Sequence, residues 1–174
     1  TGPFVMALPN TRVVRRSAAL SKVVGKYYGD DFVYSEGAYY SKKSAARKVS
    51  FMTLVLGLII VSPLRKLFRG FFRKPGEGPS QEAMDSGFFK SRFLVETNSG
   101  FRAFSMYSSG DPGYKMTSRM ACESAMCLAV ENPNDLPGGE GFGGLLTPSA
   151  GLGNVLIKRL KNIGVSFEEI SLEA

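Results

Sequence analysis

The feature that most constrains this chain is an apolar run without charges at residues 49–64, which has lysine and arginine on both sides. Its 16 residues would make about 24 Å of α-helix at roughly 1.5 Å per residue. That is short of the roughly 20 residues that cross the hydrocarbon core of a bilayer, although flanking cations can extend to the headgroups. Gly57 and Pro63 are tolerated better in a membrane helix than in a soluble one.

Residues 49–72 supply our candidates for membrane contact or docking. The apolar candidates are Phe51, Leu54, Leu58, Ile59, Val61, Leu67, Phe68, Phe71 and Phe72. The basic flanks are Lys42, Lys43, Arg47, Lys48, Arg65, Lys66, Arg69, Arg73 and Lys74. Three interpretations stay open: insertion into a membrane with an interfacial continuation, docking of a hydrophobic helix on another protein, and ordinary core packing. Core packing is the weakest of these, because nine cations would crowd a buried element.

The charge is distributed unevenly along the chain. Residues 1–74 hold 14 Lys/Arg and 3 Asp/Glu, whereas residues 75–174 hold 8 and 12. Basic charge beside an apolar run favours an anionic membrane surface over a nucleic-acid groove, and no nucleic-acid module is recognisable. We therefore expect membrane lipids, a membrane protein complex or both as partners, with lipid or pigment contacts and no nucleic acid. The expected location is a membrane, such as an organelle membrane or a lipid droplet.

Several kinds of chemistry find no support in the sequence. Histidine is absent, which removes the commonest general base and metal ligand, and the two cysteines lack zinc-site spacing. Residues 139–144 satisfy the pattern G-x-G-x-x-G. A dinucleotide site needs a strand before this pattern and a helix opening within it, but Pro137 precedes it and Pro148 follows. We predict no catalytic, cofactor-binding or metal-binding residue.

The local patterns predict three segments and an α+β fold. Residues 1–48 form a basic helix and aromatic strands, residues 49–74 the membrane or docking segment, and residues 75–174 an α+β part after a Pro/Gly-rich break. The predicted helices lie at 11–24, 80–86, 116–130 and 154–163; the predicted strands lie at 4–8, within 27–40, and at 88–96, 101–107 and 165–170. The fold class is a mixed or antiparallel sheet with packed helices, plus a protruding hydrophobic helix. The tyrosines within 27–40 favour packing over ligand contact.

One turn stands out within the α+β part. Asp111 is a good N-cap, the following proline fits a first helical turn, and Gly113 permits a close approach of the backbone. The pattern indicates a core helix with a well-made start, and the turn could also face a ligand. The candidate pocket rim is Asp111, Gly113, Tyr114, Thr117, Thr147 and Ser149.

The order and spacing of several blocks carry a family resemblance. They are Gly76-Glu77-Gly78-Pro79-Ser80, Gly110-Asp111-Pro112-Gly113-Tyr114, Glu123-Ser124-Ala125-Met126-Cys127-Leu128-Ala129, Leu146-Thr147-Pro148-Ser149-Ala150, Leu156-Ile157-Lys158-Arg159-Leu160 and Gly164-Val165-Ser166-Phe167. With them the chain resembles the C-terminal half of the saccharopine dehydrogenase-like oxidoreductases, the family that includes the trans-acting enoyl reductases. The resemblance extends more weakly upstream, through Val13-Val14-Arg15-Arg16-Ser17.

This resemblance implies an N-terminal Rossmann domain that holds NAD(P), which this chain does not include, so we expect no cofactor in the chain itself. It also implies a mixed sheet and a substrate side, and it raises the membrane interpretation. We favour a non-catalytic, membrane-associated structural or accessory subunit of a larger assembly, such as a photosynthetic or respiratory one. The alternative is the C-terminal substrate or dimerisation part of an NAD(P)-dependent oxidoreductase, an enoyl reductase or a saccharopine dehydrogenase-like enzyme.

Overall fold

The structure, a computed structural model, describes residues 1–63, 65–68, 70 and 76–171. Over these residues the fold is α+β, with seven α-helices and a three-stranded antiparallel sheet. The α+β prediction is therefore confirmed. The chain divides into two compact units. The first unit contains residues 1–22 and 26–78, and the second unit contains residues 23–25 and 79–174.

Over its described residues the first unit contains three α-helices, α1 (Ala7–Ser21), α2 (Lys43–Val61) and α3 (Arg65–Phe68). Helix α1 begins before the predicted residue 11, because Pro9 falls in its first turn, where a missing N–H costs no helical hydrogen bond. The predicted strand at 4–8 is therefore wrong. The strands predicted within 27–40 are also wrong, since the pairing found there is one isolated bridge, between Gly2 and Ala38.

The second unit contains α4 (Gln81–Ser86), β1 (Phe88–Thr97), β2 (Gly100–Ser109), α5 (Lys115–Val130), α6 (Pro148–Gly151), α7 (Gly153–Asn162) and β3 (Ser166–Ile170). The sheet order is β1-β2-β3, and both pairings are antiparallel. The predicted strands and the two long helices of this unit are confirmed to within a few residues. The polar hairpin turn between β1 and β2 and the apolar periodicity of α5 explain why local patterns were sufficient here.

The apolar core lies between the sheet and helices α5 and α7. Met116 and Cys127 of α5 are 1% and 0% exposed, and Leu156 and Leu160 of α7 and Val165 complete its centre together with Leu152. Phe89, Met106 and Phe167 reach this core from the three strands, and the register places them on one face of the sheet. Among the described residues, every buried hydrophobic side chain belongs to the second unit.

An arginine fixes α7 against α5. The Nε of Arg159 donates to Glu123 Oε2 at 2.7 Å, and its Nη1 donates to Glu131 Oε1 at 2.8 Å. The side chains of Arg159 and Glu123 are only 23% and 21% exposed, so the pairs are partly shielded from water and more favourable than fully exposed ones. Burial raises the pKa of the Cys127 thiol beneath them, and that cysteine is therefore a protonated core residue.

The turn between β2 and α5 is held by backbone hydrogen bonds. Gly110 N donates to Gly87 O at 2.6 Å, and Asp111 N donates to Met84 O at 2.8 Å. The carboxylate of Asp111 accepts the N–H of Tyr114 at 2.6 Å. Gly110 has φ of +96°, a conformation that favours glycine. Asp111 thus caps the turn that leads into α5, while the regular helix itself begins at Lys115.

Replacing Met116 by alanine should lower the free energy of unfolding by about 2–5 kcal/mol, because it opens a cavity in the core. Met126→Ala is the matched control, since Met126 lies on the same helix and is 42% exposed. Urea unfolding followed by circular dichroism measures both. Equal losses in the two variants would contradict the assignment of the core.

Replacing Asp111 by alanine should cost about 1 kcal/mol of stability through the lost cap. Asp111→Asn should keep most of that stability, because an asparagine oxygen can accept the same backbone N–H. The same denaturation experiment compares the two. An Asn variant as unstable as the Ala variant would show that the capping hydrogen bond does not stabilise the turn.

Candidate functional site

The predicted pocket-rim residues near α5 have local structural roles. The Asp111 carboxylate caps the turn, and Thr117 Oγ1 donates to the carbonyl of Pro112. Gly113 lies against the Asp111 carboxylate, where an added Cβ would be 3.5 Å from Oδ2. Tyr114 is 56% exposed. These four residues form one continuous surface at the start of α5.

Thr147 and Ser149 belong to the start of α6. Thr147 Oγ1 is the N-cap and accepts from Ala150 N at 3.4 Å, and Pro148 occupies the first helical turn. Thr147 is buried, whereas Ser149 is exposed. A joint rim of Asp111, Tyr114 and Thr147 stays a prediction.

The glycine-rich loop before α6 does not fit a dinucleotide. Gly139, Gly141 and Gly144 all have positive φ, which supports turns rather than a strand-to-helix connection. Helix α6 has four residues, and the sheet is antiparallel. A dinucleotide fold instead places a parallel strand, a tight turn and a full helix against the pyrophosphate. This loop therefore does not have the geometry of a Rossmann dinucleotide site.

A cavity of about 370 Å³ that is open to solvent lies on the surface of the first unit, and most of its lining residues are exposed. One wall is the face of α1 that ends at Lys22, and the other is the segment that follows it. The lining residues are Arg15, Ala18, Ala19, Lys22, Tyr27, Gly29, Asp30, Phe32, Val33 and Tyr34. The sequence prediction missed this site, because it treated the tyrosines as packing residues. The available signal was the pair of alanines on α1 followed by an aromatic-rich segment.

Three side chains form a polar group on the cavity wall. The Tyr27 hydroxyl donates to Asp30 Oδ1, and Lys22 Nζ lies 3.1 Å from the same oxygen. Lys22 Nζ also lies 4.5 Å from the centroid of the Tyr27 ring. The hydrogen bonds from Tyr27 and Lys22 lower the pKa of the Asp30 carboxyl, and the same bond to Asp30 raises the pKa of Tyr27. Tyr27 therefore stays a neutral phenol at neutral pH.

Tyr34 supplies a second neutral phenol to the cavity. Burial, aided by the Glu36 carboxylate that accepts its hydroxyl, raises the pKa of Tyr34 to about 12. Asn10 Nδ2 donates to the other oxygen of Glu36 at 3.0 Å, which ties this segment to α1. The hydroxyl protons of Tyr27 and Tyr34 are both donated to carboxylates, so the polar end of a ligand would be bound by the remaining N–H donors of Lys22, with its apolar body beside Ala18 and Phe32.

Helix α2 is the one candidate membrane span among the described residues, with 19 residues and mean hydropathy of 1.7. Phe51, Leu54, Leu58 and Val61 are exposed on it, and Ile59 is half-buried. The other described candidates are all exposed. They are Lys42, Lys43, Arg47, Lys48, Arg65, Lys66, Leu67 and Phe68. The candidates Arg69, Phe71, Phe72, Arg73 and Lys74 lie outside the described residues. Membrane association stays a prediction.

The chain is similar over nearly its full length to proteins named as enoyl reductases. A Mycobacterium tuberculosis protein named "Putative trans-acting enoyl reductase" is 35% identical over an alignment of 183 positions. The alignment covers 99% of this chain and 42% of the relative. Proteins named "Trans-acting enoyl reductase" from Mycobacterium bovis and Mycobacterium ulcerans are each 32% identical over 95% of this chain and 40% of their own length. The chain thus spans about two fifths of these relatives. No family model matches it, and no solved structure does either.

These names overturn one prediction from the sequence. We favoured a non-catalytic structural subunit of a membrane assembly, and that prediction is wrong, because the relatives are named for reductase activity. The alternative, part of an oxidoreductase, agrees with them better. None of the names supports the saccharopine dehydrogenase-like part of the resemblance. What the relatives do show is that this chain is similar to about two fifths of proteins named as trans-acting enoyl reductases.

Proposed function

We propose that this chain is part of an NAD(P)H-dependent enoyl reductase and contributes to its acyl-substrate side. The observation that carries the proposal is the identity of 32–35% to named enoyl reductases, maintained over 95–99% of this chain. The sequence resemblance to the C-terminal half of such oxidoreductases supports the substrate side rather than the cofactor side.

The cofactor is assigned to residues beyond this chain. NAD(P)H supplies the hydride in reductions of this class, but the glycine-rich loop at residues 139–144 lacks the strand and the helix of a dinucleotide site. The relatives are more than twice as long as the part that matches, since the chain covers 40–42% of them. We therefore place nicotinamide binding in the remainder of the full-length protein and assign binding and orientation of the acyl substrate to this chain.

The cavity of the first unit has the chemistry for that role. Ala18, Ala19, Phe32 and Val33 provide apolar wall for an acyl body. Lys22 Nζ directs one N–H to Asp30 at 3.1 Å, and an ammonium has two further N–H donors, which can donate to a carbonyl oxygen. A site that combines apolar wall with a few placed donors is typical of small-molecule sites.

The full-length protein should consume NAD(P)H when it is given an enoyl acyl substrate. It should not do so with the saturated acyl analogue, because that compound has no double bond to reduce. Loss of nicotinamide absorbance measures the rate, and mass spectrometry of the product confirms that two hydrogen atoms were added. No turnover with a panel of enoyl substrates of different chain length would contradict the proposed function.

Filling the cavity should impair the reductase selectively. Ala19→Phe should lower kcat/KM for the enoyl substrate by roughly tenfold or more, because added volume displaces the acyl body. Val13→Phe is the matched control, since Val13 lies on the same helix, is 47% exposed and does not line the cavity. If both variants retain the parental kcat/KM while the enzyme is active, the cavity is not the acyl site, although the reductase assignment stands.

A further inference from the structure

We propose that α2 docks this protein on a lipid bilayer with anionic headgroups, with the apolar helix in the hydrocarbon and its basic flanks on the headgroups. The inference goes beyond the proposed function and does not depend on it. It stands on the exposure of α2 and on the positive charge of the residues at its two ends.

Most of the apolar surface of α2 is uncovered, while Val49 and Ile59 are half-buried. None of its 19 residues is buried. Phe51, Leu54 and Leu58 are 67%, 61% and 63% exposed, and Leu56 and Ile60, on other sides of the helix, are 46% and 49% exposed. A protein groove takes one face of an amphipathic helix, whereas a helix that is apolar all round needs an apolar surrounding. Hydrocarbon supplies such a surrounding.

The charge beside α2 has a single sign. Between Glu36 and Glu77 the sequence contains nine Lys/Arg and no Asp/Glu. On the described part of this stretch, Lys42, Lys43, Arg47 and Lys48 lie exposed at the first end of α2, and the cations of α3 follow its last residue. Cations at both ends of an apolar helix complement anionic headgroups, at roughly fivefold stronger partitioning for each charge near the surface.

The apolar part of α2 is shorter than the helix. Lys43, Arg47 and Lys48 lie in its first two turns, so the uncharged part from Val49 to Val61 rises roughly 20 Å at 1.5 Å per residue and extends part of the way through a hydrocarbon core of about 30 Å. The aliphatic stems of Lys43 and Arg47 can extend along the apolar region while their charges stay in water. The first unit also has no buried hydrophobic side chain among its described residues, so a bilayer would supply cover that the unit itself does not.

Flotation of the full-length protein with lipid vesicles tests the proposal. Vesicles of phosphatidylcholine with phosphatidylglycerol are compared with vesicles of phosphatidylcholine alone. The protein should float with the anionic vesicles, and the floating fraction should fall when salt is added before binding. A protein that stays in the dense fractions with vesicles of both compositions would overturn the proposal.

Two matched pairs of variants separate the apolar contribution from the charge contribution. Leu54→Asp with Leu58→Asp should reduce flotation at least tenfold, because charged groups oppose entry into hydrocarbon. Leu128→Asp with Leu145→Asp is the control, since these leucines are 71% and 87% exposed in the second unit. Equal flotation of the two double variants would overturn the proposal.

The charge variant is Lys42→Gln with Lys43→Gln and Lys48→Gln. It should lower binding to the anionic vesicles by at least tenfold, with circular dichroism unchanged. In the control variant, glutamine replaces Lys90, Lys158 and Lys161. These three lysines lie in the second unit. A larger loss in this control than in the charge variant would contradict headgroup contact at α2. Reductase turnover, measured on the same proteins in detergent, distinguishes failure of docking from failure of the enzyme.

Discussion

The packing of α5 and α7 against one face of a three-stranded sheet is the interaction on which the second unit depends. Met116, Cys127 and Val165 are the least exposed residues of its core cluster. The pairs of Arg159 with Glu123 and Glu131 hold the two helices together at its edge. The short path from β2 into α5 is possible because Gly110 adopts a positive φ and its amide donates to Gly87. Turn, cap and core therefore form one cooperative structure.

The first unit is organised by polar contacts. The buried residues of α1 are Ser17 and Ser21, and the segment after it is tied back by the Tyr28 amide to Ser21 Oγ at 3.3 Å. Such contacts contribute little net stability beside apolar burial. The cavity and α2 both belong to this unit. A unit with little core of its own is suited to functions in which a ligand or a bilayer supplies apolar contact.

The second unit was predictable because its signals are local. Alternating residues in β1, the turn at residues 98–100 and the periodicity of α5 each specify structure within a few residues. The strand prediction for the aromatic segment 27–40 was wrong because β propensity needs a partner strand, and among the described residues the pairing of this segment is the single bridge between Gly2 and Ala38. The cavity was missed because its two walls meet only in the tertiary structure.

The function was misjudged because the exposed helix was given more weight than the family blocks around Asp111 and Thr147.

The acyl products of cells that lack the gene provide the most direct measurement of the proposed role. Mass spectrometry of those products, with and without a restored copy of the full-length gene, reports on the double bond itself. We predict that products carrying an additional double bond accumulate without the gene and disappear when it is restored. An acyl profile that is unchanged by loss of the gene would contradict the assignment of this chain to an enoyl reductase.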